Sequence, residues 1–316
     1  MVTLADIYEA QERIRGVAAR TSLVPFSSSS NEFFLKPENQ QPIGSFKLRG
    51  AYNKIASLAA AERSRGVISY SSGNHAQGVA YSARALGVKA VIVMPNNAPA
   101  NKREATARLG AEIVVVGPGS DERQAKAQQL ATQHGYAIIP PYNDEKIIAG
   151  QGTIGLEILE DLPDTEAVFA PVGGGGLISG VATAVKLKNA RVKVVGVEPE
   201  LAADAQASFR SGKLAQLGAE DVSRTIADGL RTQSIGAINF EHIRSYVDDV
   251  ITVTEQEIRD AMKILARDSK TLAEPSGAVA TAGFLSRRQK LPLSKRTVIV
   301  ISGGNIEPQM LAEIQA

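Results

Sequence analysis

Four consecutive glycines, Gly173, Gly174, Gly175 and Gly176, follow the apolar run Val168-Phe-Ala-Pro-Val172 and open a segment of helical character over 177–187. Residues without side chains let successive backbone N–H groups turn toward one anion, and a helix N-terminus adds partial positive charge. The chemistry suited to this turn is phosphate binding. A tightly packed turn is the plain alternative, but it has no need of four glycines in a row. Two further turns share the setting: Ser71-Ser72-Gly73-Asn74-His75 after the run 66–70, and Ser302-Gly303-Gly304-Asn305 after the run 297–301.

The pattern Gly174-x-Gly176 is followed by Ser179 where a dinucleotide fingerprint wants Gly or Ala. A downstream strand, 192–197, ends in Glu198, the place of a ribose-binding acid. An NAD-dependent oxidoreductase is therefore an alternative on an imperfect motif. The GxxxxGK[ST] loop of nucleotide triphosphatases is absent. In Pro42-Ile-Gly-Ser-Phe-Lys47-Leu-Arg-Gly50, a lysine lies between Phe46 and Leu48 ahead of a small-residue helix start. Taken alone it reads as a surface lysine. Desolvated, it becomes an amine nucleophile for a carbonyl. A phosphate cradle with an amine nucleophile points to pyridoxal phosphate held as a Schiff base. The 71–75 turn offers hydroxyls, an amide and N–H groups to a carboxylate and to the cofactor's phenolic oxygen. Ser302 offers a hydroxyl to a pyridine nitrogen. Of the three histidines, 75, 134 and 242, none has a second at metal spacing. The position of His75 at a helix start favours binding over general-base work.

These turns need elements to hold them. Short β-branched runs alternate with helical segments: 66–70, 89–94, 111–116, 167–172, 192–197 and 297–301 read as strands, with helices ending near Leu86 and spanning about 101–109 and 121–133. Thr254 stands three residues before Glu257 and starts a capped helix. Alternation of this length predicts a parallel α/β architecture, whose ligands gather at the carboxyl ends of strands.

Composition bounds the rest. The 316 residues hold 35 Lys+Arg against 33 Asp+Glu, a net charge of +2, with 44% hydrophobic residues and no cysteine. Near neutrality leaves no basic footprint for nucleic acid. The absence of cysteine excludes disulfides, thiolate metal sites and a cysteine nucleophile, and fits a reducing compartment. The N-terminal 16 residues lack the apolar run of a signal peptide. The uncharged stretch 167–185 is too rich in glycine for a membrane span. A soluble cytoplasmic protein without nucleic-acid or membrane partners is expected.

Seven segments in order carry a family resemblance: Gly44-Ser-Phe-Lys-Leu-Arg-Gly50, Ser71-Ser-Gly-Asn-His75, Ala149-Gly-Gln-Gly-Thr153, Pro171-Val-Gly-Gly-Gly-Gly176, Thr225-Ile-Ala-Asp-Gly229, Glu274-Pro-Ser-Gly277 and Ser302-Gly-Gly-Asn305. The chain resembles the fold-type II pyridoxal-phosphate enzymes of the threonine/serine dehydratase and serine racemase family. The resemblance implies a tryptophan-synthase-beta-like α/β fold, with two open twisted, mostly parallel sheets flanked by helices. It implies a large domain from 1–65 and 146–316 and a small mobile one from 66–145. It assigns Lys47 to the Schiff base and to the α-proton. Phe46 packs on the ring, Asn74 meets the phenolic oxygen, Gly173 to Gly176 hold the phosphate, and Ser302 meets the pyridine nitrogen. Ser71, Ser72, Asn74 and His75 receive the substrate. Ser72 also stands on the cofactor face opposite the lysine, where racemases keep an acid.

Glu198-Pro-Glu-Leu-Ala202-Ala-Asp204 resembles the family's divalent-cation segment. Glu198, the Ala202 carbonyl and Asp204 would bind Mg²⁺, Mn²⁺ or Ca²⁺, as oxygen ligands suit hard cations; a solvated acidic loop is the alternative. The implied activity is dehydration of L-threonine or L-serine to a 2-oxo acid and ammonium. Racemisation, 3-hydroxyaspartate dehydration with Arg231 or Arg123 for the second carboxylate, and a non-catalytic amino-acid sensor are competitors. A homodimer or homotetramer is expected. Motifs reaching Asn305 leave no room for a C-terminal regulatory domain, so the short catabolic or racemase-like branch is expected.

Overall fold

The computed structural model describes residues 1–28, 31–71, 73–98, 100–117, 119–287 and 296–315. Ten strands lie among them: β1 (Val24–Ser28), β2 (Asn31–Pro37), β3 (Val67–Tyr70), β4 (Ala90–Pro95), β5 (Glu112–Val116), β6 (Ala137–Ile138), β7 (Ala167–Pro171), β8 (Lys193–Pro199), β9 (Asp249–Val253) and β10 (Thr297–Ile301). They form two sheets, one in the order β1-β2-β10-β7-β8-β9 and one in the order β5-β4-β3-β6. Every pairing is parallel except the β1–β2 hairpin. This is the expected α/β class. The six strands read from the sequence all form, within a residue or two. The missed strands β1 and β2 lack an uninterrupted β-branched run and β6 has two residues, whereas β9 carries the run Val250-Ile-Thr-Val253 and was overlooked.

Both sheets bury apolar faces. Phe26, Phe33, Leu35, Phe169 and Phe284 pack on one side of the larger sheet, and Ile154, Val168, Ile178, Val194 and Val300 on the other. Val67, Ile92, Met94, Val79 and Ile139 fill the space under the smaller sheet. Burial on both faces explains why the central strands read as continuous apolar runs. The Thr254 capping box is formed. Its hydroxyl accepts the Glu257 N–H at 3.2 Å, and the Glu257 carboxylate accepts the Thr254 N–H at 2.7 Å.

The helix Lys47–Ser57 joins the two sheets. It packs against helix Glu145–Asp161 with backbones in contact: a Cβ on Gly150 would lie 2.6 Å from the Cα of Gly50. That close approach is the physical reason for the small residues in Ala149-Gly-Gln-Gly-Thr153. The same helix carries Arg49, fully buried, into a cluster of two cations and two anions. Arg49 donates to Glu38 at 2.8 Å and to Glu157 at 2.6 Å, Lys36 donates to Glu157 at 2.5 Å, and Thr21 donates to Glu38 at 2.6 Å. Burial opposes the Arg49 charge, but Glu38 and Glu157 more than offset it and hold the guanidinium protonated. The first turn of the lysine's helix is thus clamped from beneath.

Candidate active site

Lys47 is the first residue of its helix, and the chain entering it is tied to the end of β10. Gly44 adopts φ +73°, and its carbonyl accepts the Gly304 N–H at 2.9 Å. Ser45 bridges to Gly303, and the Phe46 N–H donates to the Ser302 carbonyl at 3.1 Å. The lysine segment 44–50 and the turn 302–305, both singled out in the sequence, are therefore joined. The Lys47 ammonium donates to the Pro141 carbonyl at 2.8 Å and sits 5.2 Å from the centre of the Phe46 ring. Desolvation lowers its pKa to about 8. In the cofactor-free protein, labelling of Lys47 by an amine-directed reagent is expected to rise with pH about a midpoint near 8. Rates at the mapped Lys47 peptide check this, and a midpoint at the 10.5 of ordinary lysine would contradict it.

The next residue after Pro141 reaches the tetraglycine. A Cβ on Gly174 would lie 2.2 Å from the Tyr142 ring, so the ring packs on the glycine backbone. Gly173 and Gly175 have φ of +53° and +92°, a region that disfavours side chains. The loop is braced by the Gly175 N–H on Val172 at 3.0 Å and by the Gly174 carbonyl, which accepts the Gly236 N–H at 3.1 Å. Among the described residues, the N–H groups of Gly174 and Gly176 have no protein acceptor. They stand at the start of helix Gly176–Lys188, a ready phosphate site. The amine and the cradle are thus brought to the two ends of one short tract, Pro141-Tyr142. Tyr142 and its neighbour Tyr70 were not anticipated. A tyrosine beside two prolines carries no recognisable signal. Burial, followed by Tyr70 and Asp204, pushes the Tyr142 hydroxyl up to about 12.

Ser71, half-buried, accepts the Gly73 N–H through its hydroxyl at 3.3 Å. Ser72 lies outside the described residues. Asn74 and His75 open helix Asn74–Ala85. His75 is buried, with Nε2 at 3.0 Å from the Ile139 carbonyl. Burial and then the charge of Lys47 lower its pKa to about 3. It is a neutral, fixed ring, which argues against a general base. Ser302 is buried, its hydroxyl donating to the Ser276 carbonyl at a long 3.4 Å. Asn74 donates to Glu274 at 2.6 Å and accepts from Asn305 at 2.7 Å. Glu274 stood in a recognised segment, but nothing in the sequence placed it on Asn74. An ion pair between Lys102 and Asp228 borders the same network from the small-sheet side.

Glu198 and Asp204 come together, with Asp204 near enough to Tyr142 to act on its hydroxyl. Glu198 is fully buried and accepts N–H groups from Ala205 at 3.3 Å and Gln206 at 2.9 Å. A carboxylate so enclosed has no face for a ribose, which removes the support for a dinucleotide reading. Ala202 precedes Asp204 at the end of a single 3₁₀ turn, Glu200–Ala202. Among the described residues, no group of three or more His, Cys, Asp or Glu side chains converges as a metal site. Among them, too, no helix is long and apolar enough to cross a membrane.

Known proteins match this arrangement along its whole length. The family model described as pyridoxal-phosphate dependent enzyme matches residues 14–303. An L-threonine ammonia-lyase of Thermotoga maritima is 47% identical over 99% of this chain and 78% of its own. An L-threo-3-hydroxyaspartate ammonia-lyase of Saccharomyces cerevisiae is 41% identical over 99% of this chain and 96% of its own. The structure of maize serine racemase superposes with a TM-score of 0.94 at 37% identity, covering 99% of this chain and 97% of that one. With an amine of lowered pKa facing a braced glycine cradle between two parallel sheets, and a family match over nearly all of its residues, the chain belongs to the pyridoxal-phosphate-dependent enzymes of fold type II.

Proposed function

We propose that the chain is an ammonia-lyase that dehydrates a β-hydroxy amino acid, L-threonine or L-serine, to a 2-oxo acid and ammonium. The observation that carries this is Lys47: a desolvated amine beside the cradle, in a chain 47% identical to an L-threonine ammonia-lyase. Pyridoxal phosphate bound there supplies an electron-withdrawing group that acidifies the Cα–H of the amino acid. Gly173, Gly174, Gly175 and Gly176 would hold its phosphate, and among the described residues the N–H groups of Gly174 and Gly176 have no protein acceptor. Phe46 would lie against the ring, and Asn74 would donate to the phenolic oxygen. Ser302 would offer the ring nitrogen a neutral hydroxyl instead of a carboxylate, which suits loss of a β-hydroxyl. Ser71, Asn74 and His75 receive the substrate carboxylate at the start of their helix. The Cα proton would pass to Nζ of Lys47, the Cβ–O bond would break, and the hydroxyl would take up a proton and leave as water, so that the net loss is one water. The unsaturated amine released then hydrolyses in water.

Relatives described as an L-threo-3-hydroxyaspartate ammonia-lyase and a serine racemase support two neighbouring readings. Racemisation would use Ser72 as the acid on the opposite face. Incubation with L-threonine, L-serine and threo-3-hydroxyaspartate, with keto acid and D-isomer measured together, decides among them. Absence of keto acid from all three would overturn the lyase reading. Gly174→Ala is expected to weaken pyridoxal-phosphate binding by roughly tenfold to a hundredfold, since the new methyl must displace Tyr142 at a cost of about 1–3 kcal/mol. Titration of the cofactor-free protein measures this.

The smaller sheet, built from residues 67–138, supports a separate domain over 66–145 whose closure excludes water from Lys47. A homodimer or homotetramer in the cytoplasm fits a small-molecule enzyme of this family. A divalent cation, Mg²⁺, Mn²⁺ or Ca²⁺, would be held by Glu198, Asp204 and the Ala202 carbonyl. Supporting this, neither Asp204 carboxylate oxygen makes a geometrically complete hydrogen bond. Burial pushes Asp204 up to about 7, and burial with Asp204 beside it pushes Glu198 well up. A cation would relieve two acids crowded out of water. Added Ca²⁺, Mg²⁺ or Mn²⁺ is expected to raise the thermal midpoint of the wild type and not of Asp204→Asn. A wild-type midpoint indifferent to all three cations and to a chelator would count against the site.

A further inference from the structure

Glu274 immediately precedes helix Pro275–Arg287, is buried, and donates its backbone N–H to the Gly303 carbonyl at 3.1 Å. Its Oε1 accepts Nδ2 of Asn74 at 2.6 Å. The carboxylate fits there only because residue 303 has no side chain: a Cβ on Gly303 would lie 2.2 Å from that oxygen. On its other side the Asn74 amide is equally constrained. Its Oδ1 accepts Nδ2 of Asn305 at 2.7 Å, and the same nitrogen donates to the Ile43 carbonyl at 2.9 Å. Both N–H bonds of the Asn305 amide are thereby used, so the orientation of Asn74 is set from both ends. An asparagine amide has two N–H bonds. One goes to Glu274, and one is left.

We infer that Glu274 is a positioning residue, whose carboxylate fixes the Asn74 amide so that its remaining N–H is presented to the cofactor's phenolic oxygen. The inference rests on the reading of Asn74 as partner of that oxygen. An ionised acceptor makes the tie short and strong. It also prevents the amide from flipping, which would turn a carbonyl oxygen toward the phenolic oxygen. The groups facing Glu274 come from several elements: Asp228, the Asp228-paired Lys102 of helix Ala100–Arg108, and the Asn305 backbone. Burial and then the Asp228 charge push the Glu274 carboxyl up to about 7. Lys102, reaching it from the small-sheet side, acts in the opposite sense.

A double-mutant cycle tests this in the full-length enzyme, reading pyridoxal-phosphate affinity and the visible absorption band of the loaded protein. Glu274→Ala is expected to weaken cofactor binding by roughly tenfold to a hundredfold and to move the band to shorter wavelength, because the donor to the phenolic oxygen is lost. Glu274→Gln keeps a neutral acceptor and is expected to lose about threefold. In an Asn74→Ala background, Glu274→Ala should add less than about twofold. Fully additive effects, or a folded Glu274→Ala enzyme with wild-type affinity and band, overturn the inference. If Glu274→Ala does not fold, Glu274→Gln against Asn74→Ala is judged by the same criterion. Borohydride fixation with peptide mapping separates the two layers. Cofactor fixed elsewhere than Lys47 overturns the site reading, whereas fixation at Lys47 with an unaffected Glu274 variant overturns only the positioning role.

Discussion

Lys47→Ala is expected to lower keto-acid formation by a factor of roughly 10²–10⁴, the range for removal of a positioned general base. The loss should appear in turnover even when pyridoxal phosphate is saturating. Its cause is local. Lys47 is the amine that desolvation brings to a pKa of about 8, which leaves a far larger neutral fraction near physiological pH than an ordinary lysine has. Among the described residues, neither His75 nor Tyr142 is ready to replace it. His75 is held by the Ile139 carbonyl, and burial keeps its basicity far below neutral. Tyr142 has its hydroxyl pushed up to about 12 and does not ionise in the working range. The variant should also lose borohydride-fixed cofactor. Retention of a tenth of the wild-type keto-acid rate would mean that another group takes the Cα proton. The assay must therefore be run on protein whose cofactor content has been measured.

Arg49→Ala should cost about 3–5 kcal/mol of stability, the usual consequence of removing one partner from a buried ionic cluster. Arg49 contributes one of the two cations that balance Glu38 and Glu157, and Lys36 alone would face both carboxylates. Those two acids cannot reach water, so the fold either protonates them or opens. The strained segment would be the first turn of helix Lys47–Ser57, where Lys47 lies two residues from Arg49. Denaturant unfolding of the cofactor-free protein gives the magnitude, and cofactor content gives the local effect. A loss below about 1 kcal/mol would show that the cluster behaves like a solvated surface pair. Exposed pairs such as Arg15–Glu12 provide the internal contrast, since their removal should change stability by less than about 1 kcal/mol.

The two expectations differ in how visible they were beforehand. Lys47 was legible because the residues around it are local: Phe46 and Leu48 flank it, and the phosphate cradle that gives it meaning is a run of adjacent glycines. Arg49 was not singled out. It lies in the same motif, but its partners Glu38 and Glu157 are far apart in the chain, and a sequence cannot say which of 33 acidic residues will be enclosed with it. Glu274 shows an intermediate case. Its segment was recognisable, while its contact with Asn74 arises from pairing two loops 200 residues apart. Tyr142 shows the other limit. Its role comes from ring-on-backbone packing against Gly174, for which aromatic residues in turns carry no specific signature.

By itself, then, the amino-acid sequence determined the class of the fold and the chemical inventory. Strand-length apolar runs alternating with helices admit parallel sheets with both faces covered, because only burial on both sides rewards such runs. Glycines, one apolar-flanked lysine and small polar turns at strand ends specify a phosphate, an amine and hydrogen-bond donors, and these are properties of residues and their near neighbours. The tertiary structure alone decided which groups meet and how wet they are. It joined the turn at Gly44 to that at Gly303, carried Pro141 and Tyr142 between amine and cradle, and closed Glu198 and Asp204 away from water. Proton affinities and donor orientation depend on desolvation and on partners distant in the chain. They become defined only when the two sheets close around the helix that begins at Lys47.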